Sequence, residues 1–439
     1  MYSSIGVNQW GTGFNPVSIP RVNRDHLYIV GGPRTGKTTV LANLAKQDLE
    51  GRHAMVFLDP YGSTVQDLAA HIPKSRVSHT IYFRPGDYKY SVGINLLEFN
   101  PDDYVDFDKD IREGIISMAA EGVISIFKHY WDSSWSSSRM EDVIRSCFLA
   151  GLEHPGFTIV DILRMLLDDE FRKGVLSSCS NPIVLQYWHN EYQHLHKRLL
   201  QETRQPIQTR VRALASNPFI RNIFGQARST IDFKALFERG SILLADLSQG
   251  AIGEQPVELL GSILINRIHL AALSFHETPK EKLRSLNLYI NDFHHFSPQT
   301  VRRLLSAAGK YNVSVSLDQQ FTRQIEHDQV RAAIMNNCKT KMVFRVDTED
   351  AEIMQRELGT DKIKPSDLVE LKNYEAYMRY TTEEEEPIAA YVRTKTPIFN
   401  RGLIEGYEDR KQRIIRASRD RFARERARVD AHVRNKILA

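Results

Sequence analysis

Three observations predict an α/β fold with a mainly parallel sheet and an inserted all-α domain. Short β-rich runs alternate with helical segments before residue 103 and after residue 231. The stretch between carries helical periodicity and almost no strand signal. The first core strand runs directly into a glycine-rich turn that opens a helix.

Residues 1–25 hold Gly, Pro, Asn and short alternating runs, which predict a hairpin arm. The first half of the sheet domain, 26–102, begins with the apolar run His26–Val30. The helix-compatible VLANLAKQDLE follows, then the strands AMVFLDP (Ala54–Pro60) and HTIYFRP (His79–Pro85). Strand–helix–strand spacing of this kind signals parallel strands with crossover helices. Residues 103–231 include DIREGIISMAAEGVISIFKHYW and EDVIRSCFLAGLEH, whose apolar positions recur at helical spacing. The sheet pattern resumes over 232–400 with SILLADL, LNLYIND, VSVSLDQ and KMVFRVD, so the helical block reads as an insertion. YEAYMRYTT and PIAAYVRT flank Glu383–Glu386 and predict an edge hairpin with a solvated acidic loop. Residues 401–439 form a basic helical tail, with Ile415, Phe422 and Val429 seven apart.

Bulk properties exclude several classes. The 439 residues are 42% hydrophobic with a net charge of +4. From Glu408 to Ala439 eleven Lys/Arg face five Asp/Glu, so the positive surplus is a property of the tail. That tail could be a solvated helix, a partner-docking helix or a nucleic-acid arm. No apolar run reaches the roughly 18 residues of a membrane span, and the start lacks the features of a signal peptide. Cys147, Cys179 and Cys338 are too scattered for a disulfide framework or a metal site, which points to a reducing, cytoplasmic setting. His294-His295 lacks a third ligand nearby, and adjacent strand residues would face opposite sides.

The chemistry is concentrated in GGPRTGKTT, which fits G-x-x-x-x-G-K-[ST] with Gly31, Gly36, Lys37 and Thr38. Its glycines let successive backbone N–H groups turn inward at phosphate oxygens, and the helix N-terminus adds partial positive charge. Gly31, Gly32, Pro33, Arg34, Thr35, Gly36, Lys37, Thr38 and Thr39 are therefore the candidate ATP-binding set. Lys37 is placed to reach the β/γ-phosphates and Thr38 to offer its hydroxyl to Mg²⁺. Such a loop needs an acidic partner on a neighbouring strand. Asp59, Asp246 and Asp292 each lie at or near a strand end, and sequence alone leaves the three open.

YIVGGPRTGKTTVLANLAKQDLEGRHAMVFLDPYG, followed by IYFRPGD, GINLLEF, SWSSSRMEDVI, SILLADLSQGAIGEQPVELLGSIL, LYINDFHHF, GKYNVSVSLDQQF and NNCKTKMVFRVDTEDAEIM, resembles the HerA–FtsK superfamily. The likeness is greatest to the DNA-coupling ATPases of conjugation and type IV secretion, and it covers roughly residues 20–395. It implies a RecA-like motor domain carrying an all-α domain, assembled as a homo-oligomeric ring, usually a hexamer, with DNA in the channel. The family's N-terminal membrane helices have no counterpart, so a cytoplasmic form that reaches any membrane, secretion or defence apparatus through partner proteins is expected. The family's Asp-Glu pair becomes Asn291-Asp292. By position, Thr38, Asn291 and Asp292 would support Mg²⁺, partly through water, and Asp292 would orient the attacking water. Gln320 matches the family's sensor glutamine. The family's Arg-Lys-Tyr segment reads Gly309-Lys310-Tyr311, which leaves Arg345, Arg303 or Lys310 to replace an arginine finger, Arg345 foremost. An ion pair with Asp347 or Asp350 is the structural alternative for Arg345. Two functions follow: an ATP-driven DNA translocase, or an ATP-binding scaffold that assembles and recruits a partner while hydrolysing slowly. A small-molecule kinase is disfavoured, because no acceptor pocket or lid signature is recognisable.

Overall fold

The computed structural model describes residues 2–10, 13–21, 24–98, 108–131, 138–325, 327–381, 386–394 and 405–438. Two compact units emerge, residues 1–83 with 233–418 and residues 84–232 with 419–439.

The first unit is built on one mixed sheet. Its strands are β1 (Tyr2–Trp10), β2 (Gly13–Pro20), β3 (Leu27–Val30), β4 (Ala54–Asp59) and β5 (Thr80–Phe83). A short β6 (Tyr90–Ser91) belongs to the second unit. The sheet continues with β7 (Ile242–Asp246), β8 (Leu286–Ile290), β9 (Val313–Gln319), β10 (Thr340–Val343), β11 (Glu375–Thr381) and β12 (Pro387–Thr394). The order is β2-β1-β12-β11-β10-β3-β9-β8-β4-β7-β5. From β10 to β5 all pairings are parallel, and the four on the other flank are antiparallel. The parallel strands are buried on both faces, which is why they read as unbroken apolar runs rather than alternating ones.

Three expectations change here. The β11–β12 hairpin is not the edge, because β1 pairs antiparallel with β12 and β2 closes that side. Glu383–Glu385 of its acidic loop lie outside the described residues. The helix Glu254–Leu273 is long and apolar enough to cross a membrane by length and composition, although 72% of that window is buried within the fold. The segment expected to continue the sheet domain beyond Phe83 lies in the second unit. There Ile94 N–H donates to Ile223 O (3.0 Å), and Asn95 Nδ2 donates to Phe157 O (2.9 Å) and Ala227 O (3.0 Å).

The second unit is helical, with the long helices Lys109–Trp131, Ser138–Glu153 and Lys197–Ser216. The tail is no free solvated arm. Ile414 and Ile415 of the helix Tyr407–Phe422 are buried in the first unit's core. A break follows, where β13 (Arg424–Glu425) pairs with β6, and the helix Arg426–Leu438 packs on the second unit. Asp430 there meets Arg221 (2.6 Å), Lys436 meets Asp161 (2.5 Å), and Val433 is fully buried. The sevenfold spacing is therefore split between two helices instead of forming one stripe.

A buried polar network ties the helix Lys37–Asp48 to β8. Asp48 accepts from Arg24 Nη2 (3.1 Å), Asn287 Nδ2 (2.7 Å) and Tyr289 OH (2.5 Å). Burial alone would raise the Asp48 pKa, but Arg24, His53 and Tyr289 outweigh it and hold the carboxyl below its ordinary value.

Burial pushes His26 and His269 down to about 4, so both are neutral in the fold. His26 Nδ1 accepts the Val315 N–H (3.1 Å), which requires the unprotonated nitrogen. The unfolded chain takes up these protons near pH 6.5, so stability present above that pH is lost as pH falls toward about 4. The expected loss is about 2–3 kcal/mol per histidine. Urea unfolding at pH 7 and pH 4.5 measures it, and His26→Gln should remove about half of the difference, leaving the His269 share.

Candidate nucleotide-binding site

β3 ends at Val30, and the chain turns through Gly31–Gly36 into the helix Lys37–Asp48. Anchors from both flanking strands shape the loop. Gly31 N–H donates to Gln319 O (3.3 Å) and Gly32 N–H to Arg345 O (2.8 Å). Gly36 has φ +121°, and a Cβ there would lie 3.0 Å from the Tyr374 ring. A Cβ on Gly31 would lie 2.5 Å from that of Phe344. Glycine at these two positions lets the loop curl closely over Phe344 and Tyr374, the backbone shape that a phosphate-binding turn needs. Lys37 Nζ donates to Gly32 O (3.0 Å). Its ammonium is depressed by burial, against the opposing charges of Asp318 and Asp292. Pro33 and Arg34 are exposed on the rim, and Thr39 is half-buried at the start of the helix.

Register brings the remaining groups to the loop. Parallel pairing sets Leu58 opposite Ile290, Ile290 opposite Leu317, and Val30 opposite Gln319. The ends of β4, β8 and β9 therefore lie flush with the loop. Thr38 Oγ1 donates to Asn291 Oδ1 (3.1 Å), and Asn291 Nδ2 donates to Asp59 Oδ1 (3.4 Å). The amide's orientation follows from its neighbours: the acceptor-only carboxylate takes the NH₂, leaving the carbonyl for the hydroxyl. Thr38 Oγ1 and Asn291 Oδ1 are the hard oxygen donors a Mg²⁺ or its waters would meet.

The three candidate acids separate cleanly. Asp59 caps the helix Ser63–Ala70, accepting from Tyr61 N (3.0 Å), Thr64 N (2.8 Å) and Val65 N (3.3 Å). Asp246 lies two strands beyond β8 and is held by Tyr82 OH (2.7 Å), Gln66 Nε2 (3.3 Å) and Ser248. Gly62 leaves it room, since a Cβ there would sit 2.1 Å from Asp246 Oδ1. Asp292 acts on Lys37. It follows Asn291 at the mouth, in a left-handed conformation (φ 47°, ψ 60°).

Sequence reasoning missed Asp318. This fully buried β9 residue accepts the Asp292 N–H on Oδ1 (2.8 Å), while its Oδ2 has no hydrogen-bond partner among the described residues. Burial and repulsion from Asp292 raise its pKa to about 8, against the pull of Lys37. The only signal was an acidic residue inside a β-rich run.

The other candidates make their hydrogen bonds away from Lys37 and Thr38. Gln320 lies past the end of β9, half-buried, with its N–H on Gln324 Oε1 (3.0 Å). Its neighbour Gln319 is the fully buried glutamine and donates to Tyr28 OH. Arg345 is exposed, and its Nη2 donates to Asn373 Oδ1 (3.4 Å). Asp347 instead pairs with Arg323 (2.9 Å), and Asp350 accepts Thr322 N–H (3.0 Å). His294 and His295 lie in a turn rather than a strand, so their rings stand side by side, 4.3 Å between centroids. His295 Nε2 contacts Tyr61 OH at 3.0 Å.

No protein-family model matches the chain, and no curated relative is detected. Solved structures do match. The unbound bacterial conjugative coupling protein TrwBΔN70 is 17% identical, covering 86% of this chain and 87% of its own, with a TM-score of 0.58. The chain has the fold of the conjugative coupling proteins. TrwB in complex with ADP and Mg²⁺ is 17% identical over 84% of this chain and 85% of that one, with a TM-score of 0.58. VirB4 of Thermoanaerobacter pseudethanolicus is 12% identical over 90% and 96%, also at 0.58. The coupling-protein fold thus persists at identities where the sequences share little beyond pattern.

Asn291→Asp would set a second carboxylate about where the amide nitrogen now lies, 3.4 Å from Asp59. At an effective dielectric of about 20 that repulsion is about 5 kcal/mol before relaxation and proton uptake. We expect a net destabilisation of about 1–3 kcal/mol without metal, shrinking when Mg²⁺ is added. Thermal melts with EDTA and with Mg²⁺ check both halves.

Proposed function

We propose that this chain binds ATP with Mg²⁺ at Gly31–Thr39 and hydrolyses it as a subunit of a homo-oligomeric ring, a hexamer, that moves DNA. The observation that carries the reading is the meeting of Lys37, Thr38, Asn291, Asp292 and Asp318 at the ends of three adjacent parallel strands. A carboxylate beside the loop supplies the acceptor that an attacking water's proton requires. Among the similar structures, TrwB is a bacterial conjugative coupling protein and is seen in complex with ADP and Mg²⁺.

In this mechanism the inward-turned N–H groups of the loop hold the phosphates, and Lys37 balances charge on the β- and γ-oxygens. Thr38 Oγ1 and Asn291 Oδ1 offer oxygens to Mg²⁺, which when bound neutralises and orients the phosphate oxygens. Asp292 orients the attacking water and accepts its proton. Asp318 fixes Asp292 through its backbone N–H. Arg345, beside its own chain's loop, remains a proposed cationic partner of the γ-phosphate, and Gln320 a proposed sensor. The ring works in the cytoplasm, with DNA held through its phosphate backbone and a membrane, secretion or defence protein as partner.

Lys37→Ala should weaken ATP binding about 10- to 100-fold. Asp292→Asn should leave binding nearly intact while lowering turnover about 100-fold or more. DNA-stimulated phosphate release at low salt with Mg²⁺ tests the motor as a whole, and its absence from the assembled protein overturns it.

The scaffold reading is favoured by the neutral Asn291 and by Gly309. Gly309 has a helical φ of −61° and no atom within 4 Å of a Cβ placed on it, so arginine fits there without strain. Gly309→Arg should raise turnover of the assembled protein about tenfold or more if an arginine is what the site lacks. Wild-type turnover already above about 1 s⁻¹ defeats the scaffold reading.

A further inference from the structure

A cavity lies within the first unit, at the opposite end of the sheet from the phosphate loop. It opens where β4 and β8 begin, with Ala54 N–H bonded to Ser285 O (2.9 Å). Its volume is about 490 Å³, and Arg21, Glu50, Arg52, His53 and Arg284 contribute to its lining. That volume suits a phosphate bearing a small organic group. The charge around it is one-sided. The lining holds one carboxylate, Glu50, which is 74% exposed and 4.0 Å from Arg21. Arg52 is exposed, and its guanidinium has no partner among the described residues. Arg284 makes two long contacts, to Arg52 O and Arg239 O, both 3.3 Å.

Behind them stands Arg76, which is buried. Its Nη2 donates to His53 O (3.2 Å) and Gly240 O (2.7 Å), and its Nη1 has no hydrogen-bond partner among the described residues. Arg76 is pushed below its ordinary value by burial and by the charge of Arg284. The left-handed Gly240 permits the crowding, because a Cβ there would lie 2.2 Å from Arg52 O and 2.9 Å from Arg284 Nη1. Converging like charges cost free energy, and an anion seated among them removes that cost. Arginine's planar fork also matches the oxygens of a phosphate.

We propose that this cavity binds a phosphate group, with Arg52 and Arg284 as its principal contacts. The group is either the headgroup of an anionic lipid or a free phosphate.

The test compares the full chain with Arg52→Ala/Arg284→Ala. Binding is measured to phosphatidylcholine vesicles with and without phosphatidylglycerol, and to inorganic phosphate in a Lys37→Ala background that silences the loop. We expect phosphatidylglycerol-dependent binding and a loss of about tenfold or more in the double variant. Arg52→Lys/Arg284→Lys should keep most of it, and an unchanged ATP affinity in both variants shows that the fold is intact. Phosphate binding that the double variant loses, without vesicle binding, assigns the site to free phosphate. Equal binding by parent and double variant, or binding of neither probe, overturns the proposal. A variant that loses only duplex DNA binding also overturns it, marking the surface as a DNA face.

Discussion

Parallel pairing of β3, β9, β8 and β4 sets Val30 opposite Gln319 and, two residues back along β9, Leu317 opposite Ile290 and Ile290 opposite Leu58, so the strand ends fall within two residues of one another. Gly31, Asn291 and Asp59 come from distant parts of the sequence, yet the hydrogen-bond ladder delivers them to one edge. A slip of one residue would reverse the side each side chain faces and remove Asn291 from Thr38. Register is strongly specified here because every strand involved is buried along its length. The site's precision is therefore a consequence of the hydrophobic core.

Within that frame the acidic site follows a charge-limiting logic. Asp59, Asp292 and Asp318 crowd one strand edge, with Lys37 as the cation that acts on the latter two. A fourth carboxylate at position 291 would add repulsion without a new counter-charge. The amide satisfies Asp59 as a donor and Thr38 as an acceptor at once, which no ionised carboxylate can do. Asn291 is thus better understood as the neutral member of a dense acidic cluster than as a decayed residue.

Much of this was legible beforehand, and for a physical reason. The phosphate loop is local: strand, glycines, lysine and helix are contiguous, so pattern alone locates it. The parallel strands were legible as unbroken apolar runs. Asp318 was not, because its meaning lies in a hydrogen bond to Asp292 across 26 residues. The edge was misplaced for the same reason, since β12 is covered by β1 from the far end of the chain. The tail misled through composition: abundant arginine hid Ile414, Ile415 and Val433, which are the residues that dock it. Local pattern reports what a segment is, while long-range pairing decides what it faces.

The Asp48 network shows how a buried charge can serve the site from a distance. Asp48 closes the helix that Lys37 opens, and it bonds Tyr289 and Asn287 on the strand that ends beside Asn291. A helix of this length spans about 18 Å, so a small tilt about its far end is felt at Thr38. Removing one partner would strand a buried charge at a cost of about 3–5 kcal/mol. Replacing the whole network by apolar side chains need not cost stability, but it would give up the directional bonds that fix the helix on β8. The network therefore gives orientation more than stability, and orientation is what keeps the Thr38 hydroxyl within reach of Asn291, at 3.1 Å.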